Sequence, residues 1–181
     1  MNAQLTELSE KLRLNAKRAE SLVSRAGEAR LAERPKSGSW SAAECLVHLT
    51  ISTEVYFPTW PSALADARRR GLIGNGARPF RMDFAGALLN WSLKPSTRIR
   101  TSTPAILRPD ISGDVLAGFL RSQDRLLEVV LDSAGFALDR IKIASPVNAR
   151  VRYSVWSSFR IMDTHQRRHL LQAERAAGLS E

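Results

Sequence analysis

Apolar residues recur along this chain at spacings of three and four, and almost nowhere at two, so the elements it predicts are helices. Leu5, Leu8, Leu12, Ala16, Ala19 and Val23 form one stripe and predict a helix from about Gln4 to Leu31. Residues 33–39 carry Pro35 and Gly38 and form a loop. Ser41 followed by Glu44 has the spacing of a capping box, and Trp40 just before it is placed to staple the first turn. The helix that starts there runs through Cys45, His48, Leu49 and Ser52. It must bend or break near Pro58 and Pro61, and it resumes over residues 62–68. Residues 71–79 are loop, glycine-rich but without the lysine and hydroxyl that a phosphate-binding loop requires. A helix from Arg81 to Leu93 is ended by Pro95, and residues 96–111, with Pro104 and Pro109, are extended or looped. Val115, Phe119, Leu126, Val130 and Ala134 predict a helix from Ser112 to about Ala134, stopped by Gly135. Residues 136–150 are irregular, and a last helix spans about Ser154 to Ala177 before Gly178. The alternation at Ile141–Ile143 and Val151–Tyr153 is too short to argue for a sheet. The fold class is all-α, with four long helices as its main elements in one domain over residues 1–181.

Composition changes this picture little, and charge changes it in one place. The net charge is +9, and most of the excess lies between Asp66 and Arg108, where nine basic residues face two acidic ones. Such a segment attracts nucleic acid, an anionic small molecule or an acidic membrane surface, or it is simply a solvated face. No zinc finger, helix-turn-helix or aromatic-interleaved basic motif accompanies it, so nucleic acid is not the expected partner. No apolar run approaches the roughly 20 residues needed to cross a bilayer, so no membrane partner is expected either. The N-terminus mixes charges from the start, and Cys45 is the only cysteine. Both features place the chain in the cytoplasm, in a reducing setting.

The candidate chemistry is carried by three histidines, His48, His165 and His169. His165 and His169 stand four apart on the last predicted helix, so their imidazoles share a face and can meet one ion. A further ligand must come from another helix, and His48 is the remaining histidine. Three imidazoles with open positions are the donor set of a catalytic metal site, with zinc or nickel suited ahead of iron. Against this, two histidines at that spacing also arise by chance. Residue 166 is Gln, so the pair lacks the glutamate base of a metalloprotease motif.

Context sharpens the reading. The segment Trp40-Ser41-Ala42-Ala43-Glu44-Cys45-Leu46-Val47-His48-Leu49, followed late in the chain by His165-Gln-Arg-Arg-His169-Leu-Leu-Gln172, resembles the DinB-like (damage-inducible) superfamily. The order of motifs, the helix before Trp40 and a proline before the final helix extend the likeness over most of the chain. The resemblance implies a four-helix bundle of up-down-down-up type, with additional short helices and loops, and a homodimer. It also implies a divalent metal ion held by His48, His165 and His169 at one end of the bundle. Members of that family include thiol-dependent transferases and isomerases, and the residues here select no branch. The functional expectation is a metal-dependent enzyme, a hydrolase or a thiol-dependent transferase, acting on a small molecule that is anionic or thiol-containing. A non-enzymatic bundle that binds a small ligand or metal is the first competitor, and a basic nucleic-acid accessory protein the second.

Neighbouring residues are weighed against plainer roles. Glu44 is placed either to orient His48 or to complete the capping box, and the box explains Ser41 as well. Asp163 and Gln166 are expected at solvent or at an interface. Trp40, Trp60, Trp91 and Trp156 are expected in packing rather than in a pocket. Cys45 is expected as a small buried residue. Arg98 and Arg100 are candidates to reach an anionic substrate from the loop before Pro104.

Overall fold

The computed structural model describes residues 2–36, 38–74, 78–97 and 103–179. Helix α1 (Ala3–Ala32) is capped by Asn2, whose side chain accepts from the Gln4 N–H, and it buries the stripe Leu5, Leu8, Leu12, Ala19 and Leu22. The sequence predicts one straight helix here, but Gly27 takes φ 72° and kinks it, a conformation that side chains with a Cβ avoid. Helix α2 (Ala42–Glu54) begins at the predicted capping box. Ser41 Oγ accepts from the Glu44 N–H at 3.1 Å, and the Glu44 carboxylate accepts from the Ser41 N–H at 2.8 Å. A turn over residues 55–58 leads into α3 (Thr59–Arg69).

Helix α4 (Phe84–Ser92) is shorter than predicted because Asp83 caps it, accepting from the Gly86 N–H. A 3-10 turn, Ala105–Leu107, lies in the segment predicted as loop. Helix α5 (Val115–Asp132) starts later than predicted, at the cap set by Asp114 after Gly113 takes φ 65°. The segment expected to be irregular folds as a hairpin of β1 (Lys142–Ser145) and β2 (Asn148–Ser154), paired antiparallel with Ile143 opposite Tyr153 and a bulge after Ala144. Ile143 and Tyr153 are both buried, and one such cross-strand pair in a corner of the core suffices to fix the ribbon. Ser154 ends β2 and caps α6 (Val155–Ala176), so strand and helix are continuous.

Among the described residues, regular structure is thus helical apart from this ribbon and an isolated bridge between Ile73 and Phe136. Helices α1 and α2 each pack against both α5 and α6, while α4 lies against α6 and β2. The α4–α6 crossing is tight at Gly86, where a Cβ would stand 2.3 Å from Ser157 Cβ. Helix α6 is therefore enclosed on nearly every side over its first ten residues, with only Arg160 half-buried. That enclosure corrects the expectation for two residues. Asp163 and Gln166 are both fully buried, not at solvent. Gln166 belongs to a polar network: its amide exchanges hydrogen bonds with Gln123 on α5 (2.6 and 3.0 Å) and accepts from Asn15 on α1 (3.0 Å). Buried amides that satisfy one another in this way fix the register of three helices. Trp60 and Trp156 pack in the core as expected, whereas Trp91 is half exposed.

Part of the basic excess is paired among the described residues. Arg69 and Arg70 pair with Asp66, Arg78 pairs with Asp139, and Arg68 lies over the Phe136 ring. Arg98 and Arg100 lie outside the described residues. No helix among the described residues is long and apolar enough to cross a membrane.

Candidate metal centre

The apolar core divides into two clusters, and α6 contributes Met162 to one and Leu170 to the other. The histidines of α6 fall between those positions, on the face turned to α2. One helical turn separates His165 from His169, and their ring centroids are 4.6 Å apart. His48 comes from α2, two turns after the capping box, and its ring lies 5.0 Å from that of His165 and 4.6 Å from that of His169. One nitrogen from each of the three lies within 4.8 Å of the others. The structure therefore brings together all three histidines singled out from the sequence.

The orientation of His48 is set by a group that sequence reasoning missed. Its Nδ1–H donates to the Leu107 carbonyl at 2.8 Å, which leaves Nε2 with a bare lone pair. That Nε2 sits 3.2 Å from His165 Nε2 and 3.5 Å from Ser52 Oγ. Glu44 does not orient His48. It completes the capping box and pairs with Arg34, which holds its carboxyl below the usual range. A backbone carbonyl leaves no trace in sequence, so Leu107 had no signal to find. Ser52 had one, since it lies a single turn beyond His48.

The cluster fits a divalent ion. A tetrahedral ion with metal–nitrogen bonds of about 2.0–2.1 Å holds its ligand nitrogens roughly 3.3–3.4 Å apart, close to the separation between His48 and His165. Burial pushes the proton affinity of all three imidazoles down, so they are neutral at neutral pH. His165 lies well below the usual histidine value, and His169 is pushed down to about 3 by burial and by the charges of His48 and Arg168. His169 Nδ1 is also buried with no hydrogen-bond partner of normal geometry among the described residues. Among the described residues, Gln172, which also lines the cavity, is the one side chain near enough to interact with this ring by hydrogen bonding.

The imidazoles open onto a cavity of about 930 Å³. Trp40 forms its wall beside the cluster, tilted over His48 at 4.7 Å and stacked on His169 at 5.7 Å. Trp40 thus packs against the second core cluster, as expected, and lines the pocket as well. Cys45 is buried, does not line the cavity, and has its thiol pushed up to about 12 by burial, so it is no nucleophile. The cavity lining contains no carboxylate among the described residues, while Lys36 and Arg168 supply positive charge. Arg168 is also anchored, donating to the backbone carbonyl of Ser92 at 3.2 Å.

Comparison with known proteins adds a family. The model of the DinB superfamily matches residues 11–173, which includes all three histidines. No curated protein and no solved structure matches the chain.

Proposed function

The chain belongs to the DinB superfamily, and from that premise we propose that His48, His165 and His169 hold one divalent metal ion, zinc or nickel, in an enzyme acting on a small molecule in the cavity. The observation that carries this reading is the convergence of three neutral imidazoles on the floor of a cavity of about 930 Å³. A divalent ion there supplies Lewis acidity, which lowers the pKa of a water or thiol to the point where it is a nucleophile at neutral pH. The chain's own groups do the rest. Leu107 fixes the His48 tautomer, Trp40 shields the ligands from bulk water, and Ser52 offers a hydroxyl beside His48.

Between the two expected chemistries, the lining supports thiol-dependent transfer ahead of hydrolysis. A hydrolytic site commonly sets a carboxylate or histidine base against the attacking water. Here the described lining offers no carboxylate, and all three histidines are assigned to the ion. Lys36 and Arg168 also suit an anionic or thiolate-bearing substrate. The test is turnover by metal-loaded protein with a panel of low-molecular-weight thiols and electrophilic co-substrates. Thiol-dependent turnover that disappears with chelator and returns with added metal is the expected result. Ester or amide hydrolysis without thiol would favour the hydrolytic branch, and no turnover of either kind would favour a non-enzymatic bundle. We extend the reading to a homodimer, supported by the exposed apolar face of α4, where Phe84 is 85% exposed with Leu88 and Trp91 beside it at helical spacing. Sedimentation equilibrium that returns the monomer mass, 20.1 kDa, across the micromolar range would refute the dimer.

A further inference from the structure

Besides the histidines, the cavity lining carries a chain of hydroxyls. Tyr56, in the turn after α2, and Tyr153, on β2, both line the cavity, and their hydroxyls hydrogen-bond one another. Ser145 on β1 lines it too, and its side chain hydrogen-bonds Tyr153. The Tyr56 ring is locked by stacking on Trp60 at 4.8 Å, and the Trp60 indole N–H is itself held by Ser158 at 2.9 Å. Three hydroxyls in a row carry three protons, and joining them consumes two. One donor and several lone pairs are left over, in a position where burial makes an unmet polar group costly.

Tyr56 lies eight residues after His48, just past the end of α2. Ser52 of α2 lines the same cavity, as do Met162 and Ile161 of α6. Asp83 sets a negative charge near Tyr153. The tyrosine hydroxyls therefore suit an uncharged polar group and not a carboxylate.

We propose that the cavity takes a small molecule with a metal-binding head at the histidines and, farther along it, an uncharged carbonyl or hydroxyl that hydrogen-bonds to Tyr56. Tyr153 and Ser145 are positioning residues that aim the Tyr56 hydroxyl. This inference rests on the metal reading above.

The test uses full-length protein loaded with cobalt(II), whose visible bands report binding of a hydroxamate head. Two alkyl hydroxamates of equal length, one ending in a methyl and one in a primary amide, are compared over a series of chain lengths. Tyr56→Phe is expected to shift the ratio of the two affinities by about three- to tenfold against the amide, leaving the methyl-ended probe unchanged. Tyr153→Phe is expected to shift the ratio in the same direction by less, and serves as the second variant if the first folds poorly. A short amide probe that cannot reach Tyr56 should show no shift. An unmoved ratio in proteins with normal cobalt bands overturns the tyrosine assignment alone. Absence of the bands in wild-type protein overturns the metal reading and this inference with it.

Discussion

Replacing Gly86 by alanine tests whether α4 and α6 cross as closely as described. The added methyl would stand 2.3 Å from Ser157 Cβ and 2.4 Å from Ser157 Oγ, where non-bonded carbons need about 3.5–4.0 Å. Relief by side-chain rotation is blocked, because Cβ is fixed to the α6 backbone and Ser157 Oγ is tied to Ser154 Oγ (2.9 Å) and the Asp83 N–H (3.2 Å). The helices must therefore separate, at the upper end of the overpacking range, about 3 kcal/mol. Alanine's helix preference over glycine returns about 1 kcal/mol. The net expectation is a loss of about 2 kcal/mol, or a fall in Tm of about 4–8 °C for a chain of this size. Urea unfolding of metal-free wild type, Gly86→Ala, Ser157→Gly and the double variant measures it. The double variant should recover part of the loss, because the two changes share one contact. Gly86→Ala as stable as wild type would refute the close crossing, and with it the position of α4, whose Leu89 and Ser92 line the cavity.

Two further outcomes follow from the same structure. Ser41→Ala removes the hydroxyl that accepts from the Glu44 N–H and should cost about 1–2 kcal/mol in urea melts, with Ser41→Asp close to wild type; an alanine variant within a few tenths of wild type would deny the capping box a role. The three imidazoles titrate lower in the folded chain than in the unfolded one, where the ordinary value is 6.5. Unfolded chains therefore bind more protons below that value. Stability of the metal-free protein should be fully present above about pH 6.5 and fall below it, with the His169 contribution lost at up to about 1.4 kcal/mol per pH unit down to about pH 3. Replacing His169 by Gln should flatten that dependence, and an equally steep profile in the variant would contradict the assignment.

The helices were legible because their stripes are long. Leu5 through Val23 allows no other period, and Ser41 with Glu44 marks the start of α2 as well in sequence as in structure. The hairpin was hidden because only Ile143 and Tyr153 form a buried cross-strand pair, and two residues do not make a pattern. Gly27 was hidden because one glycine in a long apolar stripe does not by itself signal a kink. Asp163 and Gln166 were misplaced for a related reason: polarity argues for solvent only where one side of a helix faces it, and α6 is enclosed on nearly all sides there. At the site, the histidines were visible as residue types, but the groups that aim them were not. The Leu107 carbonyl orients His48 from the end of a short 3-10 turn, and backbone groups carry no sequence signature.

The most direct test of the central claim is metal content by elemental analysis, on protein purified without a histidine tag, for wild type and for His165→Ala/His169→Ala. The account predicts close to one divalent ion per chain in wild type. It predicts essentially none in the double variant, with helical content retained, because the apolar clusters on either side of the histidines are untouched. Equal metal in both proteins, or none in wild type after exposure to zinc and to nickel, would contradict it.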